Sequence, residues 1–236
     1  MTIILNVKEE QMKARNRQWR YFAPFLGMFF GLVLTLSGCR DGKRYHDLEK
    51  PLVFEGNEAL ADIQTFRNSL NESFRDPETS PLPDRYRKNF EGLDFFEPDT
   101  NYRIWARLER TPEALPFDMP TSTNDSALER VFGKLTFKFE GTTYVLEVYQ
   151  SPELLSKPDY EDYLFLPFTD DTNGVETYDG GRYIDLRIPE GDSILIDFNK
   201  AYNPYCAYNP SYSCPLVPPA NHLPLSIPAG VMAFKK

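Results

Sequence analysis

Between Leu164 and Cys214 the chain concentrates acids, amides, glycines and tyrosines: LFLPFTDDTNGVETYDGGRYIDLRIPEGDSILIDFNKAYNPYCAYNPSYSC. Acids and amides are costly to bury unless paired, so this density points to a polar site carried by a rigid scaffold. Asp170, Glu176, Asp185 and Asp197 can supply a general acid and base, with Arg182 to hold an anionic group. Asp170, Glu176 and Asp197 are the candidate catalytic residues. Asp197 interrupts an apolar run, Ile194-Leu195-Ile196 before it and Phe198 after it. An acid there needs a partner, with Arg182 as the candidate, and burial would perturb its pKa. A structural ion pair accounts for the same residues without catalysis. For ligand binding the candidates are Asn173, Arg182, Tyr183, Asn199, Tyr202 and Asn203. Tyr202, Tyr205, Tyr208 and Tyr212 accompany two Asn-Pro steps, Asn203-Pro204 and Asn209-Pro210. Proline fixes the backbone and tyrosine offers a flat apolar face with a polar tip, which suits a sugar ring or an organic ligand. The same rings can also simply close one end of a barrel.

Other chemistries lack their residues. Asp170, Asp171, Asn173, Gly174 and Glu176 look like a calcium loop, but with Asp171 and Asn173 at its third and fifth positions the first falls on Thr169 and the twelfth on Gly180. A turn in which Asp and Asn side chains satisfy backbone amides, or an irregular calcium site, are the remaining readings. The sequence has no G-x-S-x-G elbow, phosphate loop or dinucleotide fingerprint, so neither a serine hydrolase nor a nucleotide cofactor is indicated. His222 follows Cys214 at the interval by which Cys214 follows Cys206, yet the tight cysteine pairs of zinc sites are absent. No metal and no cofactor is expected.

The scaffold that must carry these residues reads as mainly β. Leu60, Ile63, Phe66, Leu70 and Phe74 recur at helical spacing, with Asn57 placed to cap and Asp76-Pro77 to stop. A short helical turn is expected near Asp84 to Phe90. Then the period becomes two: Tyr102, Ile104, Ala106 and Leu108 alternate with Arg103, Trp105, Arg107 and Glu109. Residues 111–127, rich in Pro, Thr, Ser and Asp, read as a surface loop. Leu135, Phe137 and Phe139, a Glu140-Gly141 turn, and Tyr144, Leu146 and Val148 form a hairpin. Further strands are expected at Tyr163 to Leu166, Arg182 to Ile188 and Ser193 to Phe198. Short strands without intervening helices predict an antiparallel β-barrel or sandwich with an N-terminal helical segment.

The N-terminus supplies an address. Lys13, Arg15, Arg17 and Arg20 precede an apolar run from Tyr21 to Leu34 and then Leu36-Ser37-Gly38-Cys39. This is a secretory signal ending in a lipobox, with Met12 as the start that best suits a basic leader. At about 14 residues the apolar run is too short to span a bilayer. Residues 1–38 would be removed, Cys39 lipidated, residues 39–56 left as a tether, and residues 57–236 would form a single domain. The expected product is a bacterial envelope lipoprotein, held at the inner or outer membrane through its acyl chains. Loss of five basic and two acidic residues from the chain's 26 and 35 leaves 21 and 33, a net charge of −12. So acidic a surface repels phosphate backbones, so nucleic acid is not an expected partner. In an oxidising envelope Cys206 and Cys214, with seven residues between them, can form a disulfide contributing about 2–3 kcal/mol. Two buried thiols acting as small hydrophobes are the alternative.

Several of these segments together resemble a known family. Phe168-Thr169-Asp170, Thr172-Asn173-Gly174, Glu176-Thr177-Tyr178, Gly180-Gly181-Arg182-Tyr183, Asp197-Phe198-Asn199, Ala201 to Tyr208 and Cys214-Pro215-Leu216 are similar to the signature of DUF1684. Ser80-Pro81-Leu82, Phe90 to Leu93 and Phe95-Phe96 resemble its opening motif, so the likeness runs from about residue 57 to 232. One departure is Asn221-His222-Leu223, where the family pattern more often has a central arginine. The resemblance implies no settled activity. Two functions of different class therefore stand, and whether the chain is an enzyme is open: a domain binding a small molecule at a polar, tyrosine-rich site, or a hydrolase using the carboxylates of the Asp170 to Asp197 block.

Overall fold

The computed structural model describes residues 55–235, with side chains from residue 58 onward. The basic leader, Cys39 and the tether up to residue 54 lie outside the described residues. Helix α1 (Glu55–Arg75) buries Ile63 and Phe74 completely, whereas Leu60 at the same spacing is exposed. The helix already includes Asn57, which therefore lies inside it rather than capping it. Beyond its C-terminal end Asp76 Oδ1 accepts the Glu78 amide at 2.9 Å across Pro77, which cannot continue the helix. One helical turn, α2 (Asp84–Arg87), follows.

The strands are β1 (Arg103–Arg110), β2 (Phe117–Pro120), β3 (Ser126–Phe139), β4 (Thr142–Gln150), β5 (Tyr163–Asp170), β6 (Arg182–Arg187), β7 (Ser193–Asp197) and β8 (His222–Leu223). They form one sheet in the order β6-β5-β4-β3-β1-β7, with β2 added to β3 and β8 added parallel to β5. All other pairings are antiparallel, and β6 and β7, at the two ends of that order, come back into contact. The result is a nearly closed, barrel-like antiparallel sheet with a helix on its N-terminal side. Positive φ at both Glu140 (48°) and Gly141 (81°) gives the β3–β4 hairpin a turn whose twist matches the strands.

Alternation places Ile104, Ala106, Leu108, Leu135, Phe137, Leu146, Val148, Leu164 and Ile196 in one core inside the barrel. β5 is buried on both faces: Leu164, Leu166 and Phe168 point inward, while Tyr163 and Phe165 join Met119, Tyr149 and Tyr183 in a second cluster outside. A third cluster packs Phe74 of α1 against Tyr208, Leu82, Leu93 and Val231. The expected loop at 111–127 contains β2. This four-residue strand escapes composition-based reading because only Met119 is buried and Pro120 sits at its end, where a missing N–H costs little.

Candidate functional site

The acids of the polar block sit in separate places, each with its own partner. Phe168 and Arg182 are directly paired across β5 and β6, which puts Asp170 diagonal to Arg182 on the inner face. Asp170 Oδ2 accepts from Arg182, and neither side chain has any exposure. Asp170 Oδ1 takes the Thr172 amide at 2.7 Å and the Thr172 hydroxyl at 2.5 Å. Arg182 also donates to the Ala229 carbonyl and, at 3.0 Å, to the Ile227 carbonyl, and stacks over Phe168. Burial lowers the Arg182 pKa and the adjacent Asp170 charge opposes that shift. This ion pair ties β5, β6 and the C-terminal segment together inside the protein.

Asp197 pairs instead with Arg103, its register partner on β1, at 3.1 Å. Expecting Arg182 there overlooked the barrel's strand order, which puts β7 beside β1 and leaves Arg182 to the nearer Asp170. Asp197 Oδ1 also accepts the amide and side chain of Asn199 at 3.0 and 2.9 Å. Asn199 in turn binds the backbone of Asp99 through both ends of its amide. Asn173 accepts the Asp170 amide at 2.6 Å and donates to the Tyr178 carbonyl at 2.7 Å, closing the 170–178 turn on itself. Glu176 is exposed on that turn. Asn203 is buried and donates to the Met232 carbonyl at 2.9 Å. Asp170, Arg182, Asp197 and Asn199 thus form two separate structural knots rather than one cavity wall.

A cavity lies elsewhere, between α1 and the outer face of the sheet, with a volume of about 660 Å³. Two of the ligand-binding candidates, Tyr183 and Tyr202, line it. So do Asp185 and Tyr205, with Phe66, Ser69 and Ser73 of α1 opposite and Glu129, Tyr163, Phe165 and Ser213 around the wall. Outward alternation on β6 brings Tyr183 and Asp185 to this face while Ile184 and Leu186 enter the core. The Tyr163 hydroxyl donates to Asp185 Oδ1 at 2.6 Å, and the Tyr202 hydroxyl donates to the same oxygen at 2.7 Å. Desolvation, with the Asp185 charge next, holds the pKa of both phenols well above 10. Both therefore remain hydrogen-bond donors at neutral pH. Glu129 is 7 % exposed, and its charge also raises Tyr163.

Glu129 and Tyr163 were not among the sequence candidates. Tyr163 reads only as the first residue of a strand, and Glu129 gains its position from pairing with β2, which composition hid. A smaller gap of about 230 Å³ lies where β6 and β7 approach without closing, beside Asp62, Asp197 and Lys200. Asp185 borders both spaces.

Cys206 and Cys214 are free thiols, and the Cys206 amide donates to Cys214 Sγ at 3.1 Å. The Cys214 hydrogen bond, with help from Ser122 and Tyr178, lowers the Cys206 pKa to about 6 against the opposing effect of burial. Cys214 is raised by the same hydrogen bond and by its own burial. Cys214 touches the cavity wall. Asn221 bridges β4 and β5 by accepting the Glu147 amide and donating to the carbonyls of Glu147 and Pro167, at 2.8, 2.8 and 2.6 Å. The neighbouring His222 is exposed, with Nδ1 3.1 Å from the Thr169 hydroxyl.

No curated protein matches the chain. Among solved structures, the chain resembles the solution NMR structure of an uncharacterized protein of Haloarcula marismortui, at 32% identity and a TM-score of 0.60, covering 75% of this chain and 95% of that one. The family model described as "protein of unknown function (DUF1684)" matches residues 88–232, a span from just before β1 to beyond β8 that contains both structural knots and most of the cavity wall. The chain belongs to the DUF1684 family.

Proposed function

We propose that this domain binds a small organic molecule in the cavity between α1 and the sheet. The observation that carries the reading is the cavity's construction: about 660 Å³ lined by aromatic faces, with one carboxylate oriented by two phenol donors. Binding sites take this form, mostly apolar walls with a few fixed polar groups. Of the four acids open to the hydrolase reading, Asp170 and Asp197 are committed to Arg182 and Arg103, and Glu176 stands on an exposed turn away from the cavity wall. Asp185 alone of the four reaches the cavity, where Tyr163 and Tyr202 orient it. The proposal includes the address read from the leader: a lipid on Cys39 holds the domain at a membrane of the bacterial envelope.

Thermal-shift screening of the full chain against a small-molecule library tests the cavity, with Ser73→Trp as the control. That substitution fills the space from the helix side. Ligands that stabilise the native chain should lose their effect in S73W, whereas ligands that act equally on both would place binding elsewhere. For the anchor, metabolic labelling with palmitate should mark the native chain and leave Cys39→Ala unlabelled.

A further inference from the structure

Trp105, on β1, is 66 % exposed and is the only tryptophan outside the leader. Strand alternation turns it outward, since Ile104 and Ala106 on either side enter the core. Leu195, its register partner on β7, lies on the same outer face between the core residues Ile194 and Ile196, and Val145 of β4 is 47 % exposed. Two cations accompany this apolar face. Arg107, the next outward residue of β1, stands in register with Thr136 and Ser193. Lys138 lies two residues beyond Thr136 on β3, in the direction in which Trp105 lies from Arg107, and stands in register with Thr143. Their printed strand partners are thus hydroxyls, and neither has an ion pair among the described residues. The other charges of the face are differently placed: Lys134 has Glu109 and Glu147 in register on its two sides, Arg103 holds Asp197, and Glu140 is at the hairpin tip.

Where the chain enters the domain bears on what meets this face. Arg103, two residues before Trp105, reaches Asp62 of α1 at 3.7 Å, and Lys200 holds the same carboxylate oxygen at 2.7 Å. Helix α1 starts at Glu55, and the seven residues from there to Asp62 rise about 10 Å along its axis. The link from Cys39 therefore joins the domain close to the start of β1. Residues 39–54 are 16 in number and span at most about 55 Å, so a lipid on Cys39 keeps this side of the domain within reach of the membrane.

Resting on the proposal that Cys39 carries a lipid, we infer that the outer face of β1 around Trp105 lies against the bilayer, with the indole in the headgroup layer and Arg107 and Lys138 on lipid phosphates. Tryptophan suits that layer because its ring is apolar while its N–H still finds a polar partner there. Arginine and lysine donate charge-assisted hydrogen bonds to phosphate oxygens and are drawn to an anionic leaflet. None of Trp105, Arg107, Lys138 and Val145 lines the 660 Å³ cavity, so a domain seated in this way leaves the cavity uncovered.

Removal of the leader takes Trp19 with it, so the mature chain has Trp105 as its single fluorescent indole. The native chain is purified from membranes, acylation of Cys39 is checked by mass spectrometry, and the protein is reconstituted in vesicles of phosphatidylcholine and phosphatidylglycerol. The expected result is weaker Trp105 emission in vesicles whose acyl chains are brominated next to the headgroup than in unbrominated vesicles of the same composition. The double variant Arg107→Glu, Lys138→Glu should lose that quenching while it stays on the vesicles through its lipid and melts at the native temperature. Trp105→Phe should leave no quenchable emission. Equal emission of the native chain in the two kinds of vesicle overturns the inference, and shielding of Trp105 from acrylamide in that case would assign the face to a second copy of this chain. Quenching undiminished in the double variant also overturns it, since contact would then not depend on these cations. An unacylated Cys39, or quenching that persists in Trp105→Phe and so comes from a retained Trp19, overturns the anchor and this inference with it. An acylated chain with unquenched Trp105 overturns this inference alone.

Discussion

Asp170 and Arg182 face each other with no solvent contact, so each charge depends on the other for its stability in the interior. Removing one leaves the other uncompensated, a change that typically costs about 3–5 kcal/mol. Asp170→Asn should therefore lower unfolding free energy by that amount in urea melts, and a loss under about 1 kcal/mol would mean that the pair is not a structural knot. Cys206 makes a different prediction. Its thiolate is stabilised by hydrogen bonds from Cys214, Ser122 and Tyr178, so in the reduced chain alkylation by iodoacetamide should rise with a midpoint of about pH 6. Cys214→Ala removes the largest of those hydrogen bonds and should move the midpoint up towards 9, which the pH profile of the labelling rate will show. At this scale the sequence was informative about which residues are unusual and poor at saying why. Asp197 was correctly singled out as an acid that needs a partner, but that partner, Arg103, lies ninety-four positions away and is named only by the register of β1 with β7.

The elements were more legible than the contacts between them. Alternation gave β1, β4, β6 and β7 closely, because each has one face in the barrel core and one outside it, whereas β3 was read only from Leu135 to Phe139 although it begins at Ser126. β5 was read too short, ending at Leu166 instead of Asp170, because it is buried on both faces and carries Pro167. The turn leading into β6 relies on Gly181, whose φ is +91° and whose missing Cβ would stand 2.6 Å from Val217 Cγ2 and 2.7 Å from the Phe168 carbonyl oxygen. Gly181→Ala should cost at least about 2 kcal/mol through backbone strain and collision. Gly191, with no atom near its absent Cβ, provides the comparison: Gly191→Ala should stay within about 0.5 kcal/mol of the native chain. Equal melting temperatures for the two variants would contradict this account of the turn.

In the whole molecule, tyrosines are used as buried donors at the contact of helix, sheet and C-terminal segment. Tyr163, Tyr183 and Tyr202 have pKa values held well above 10 by desolvation. Their protonated form is the one the folded state favours. Stability from this source is present in full below the unfolded value of about 10 and is lost as pH rises beyond it, where the unfolded chain ionises first. Urea midpoints should thus fall steeply above pH 10, less steeply in Tyr202→Phe. The cavity could not be read from one stretch of sequence because its wall is assembled from α1, β3, the segment after β4, β5, β6 and the 202–215 segment. Tyr183 and Tyr202 were legible as candidates through their dense polar neighbourhood. Glu129, Tyr163 and the α1 residues become neighbours of that wall only when the sheet curls and the helix lies over it.

The most direct test of ligand binding in this chamber is solution NMR of the full chain with ¹³C-labelled tyrosine rings, titrated with a ligand identified by thermal shift. The account predicts saturable shifts in Tyr163, Tyr183, Tyr202 and Tyr205 with Tyr86 and Tyr144 unmoved, and none of these shifts in S73W. Saturable changes confined to Tyr86 or Tyr144, or changes in the cavity tyrosines that persist unchanged in S73W, would contradict it.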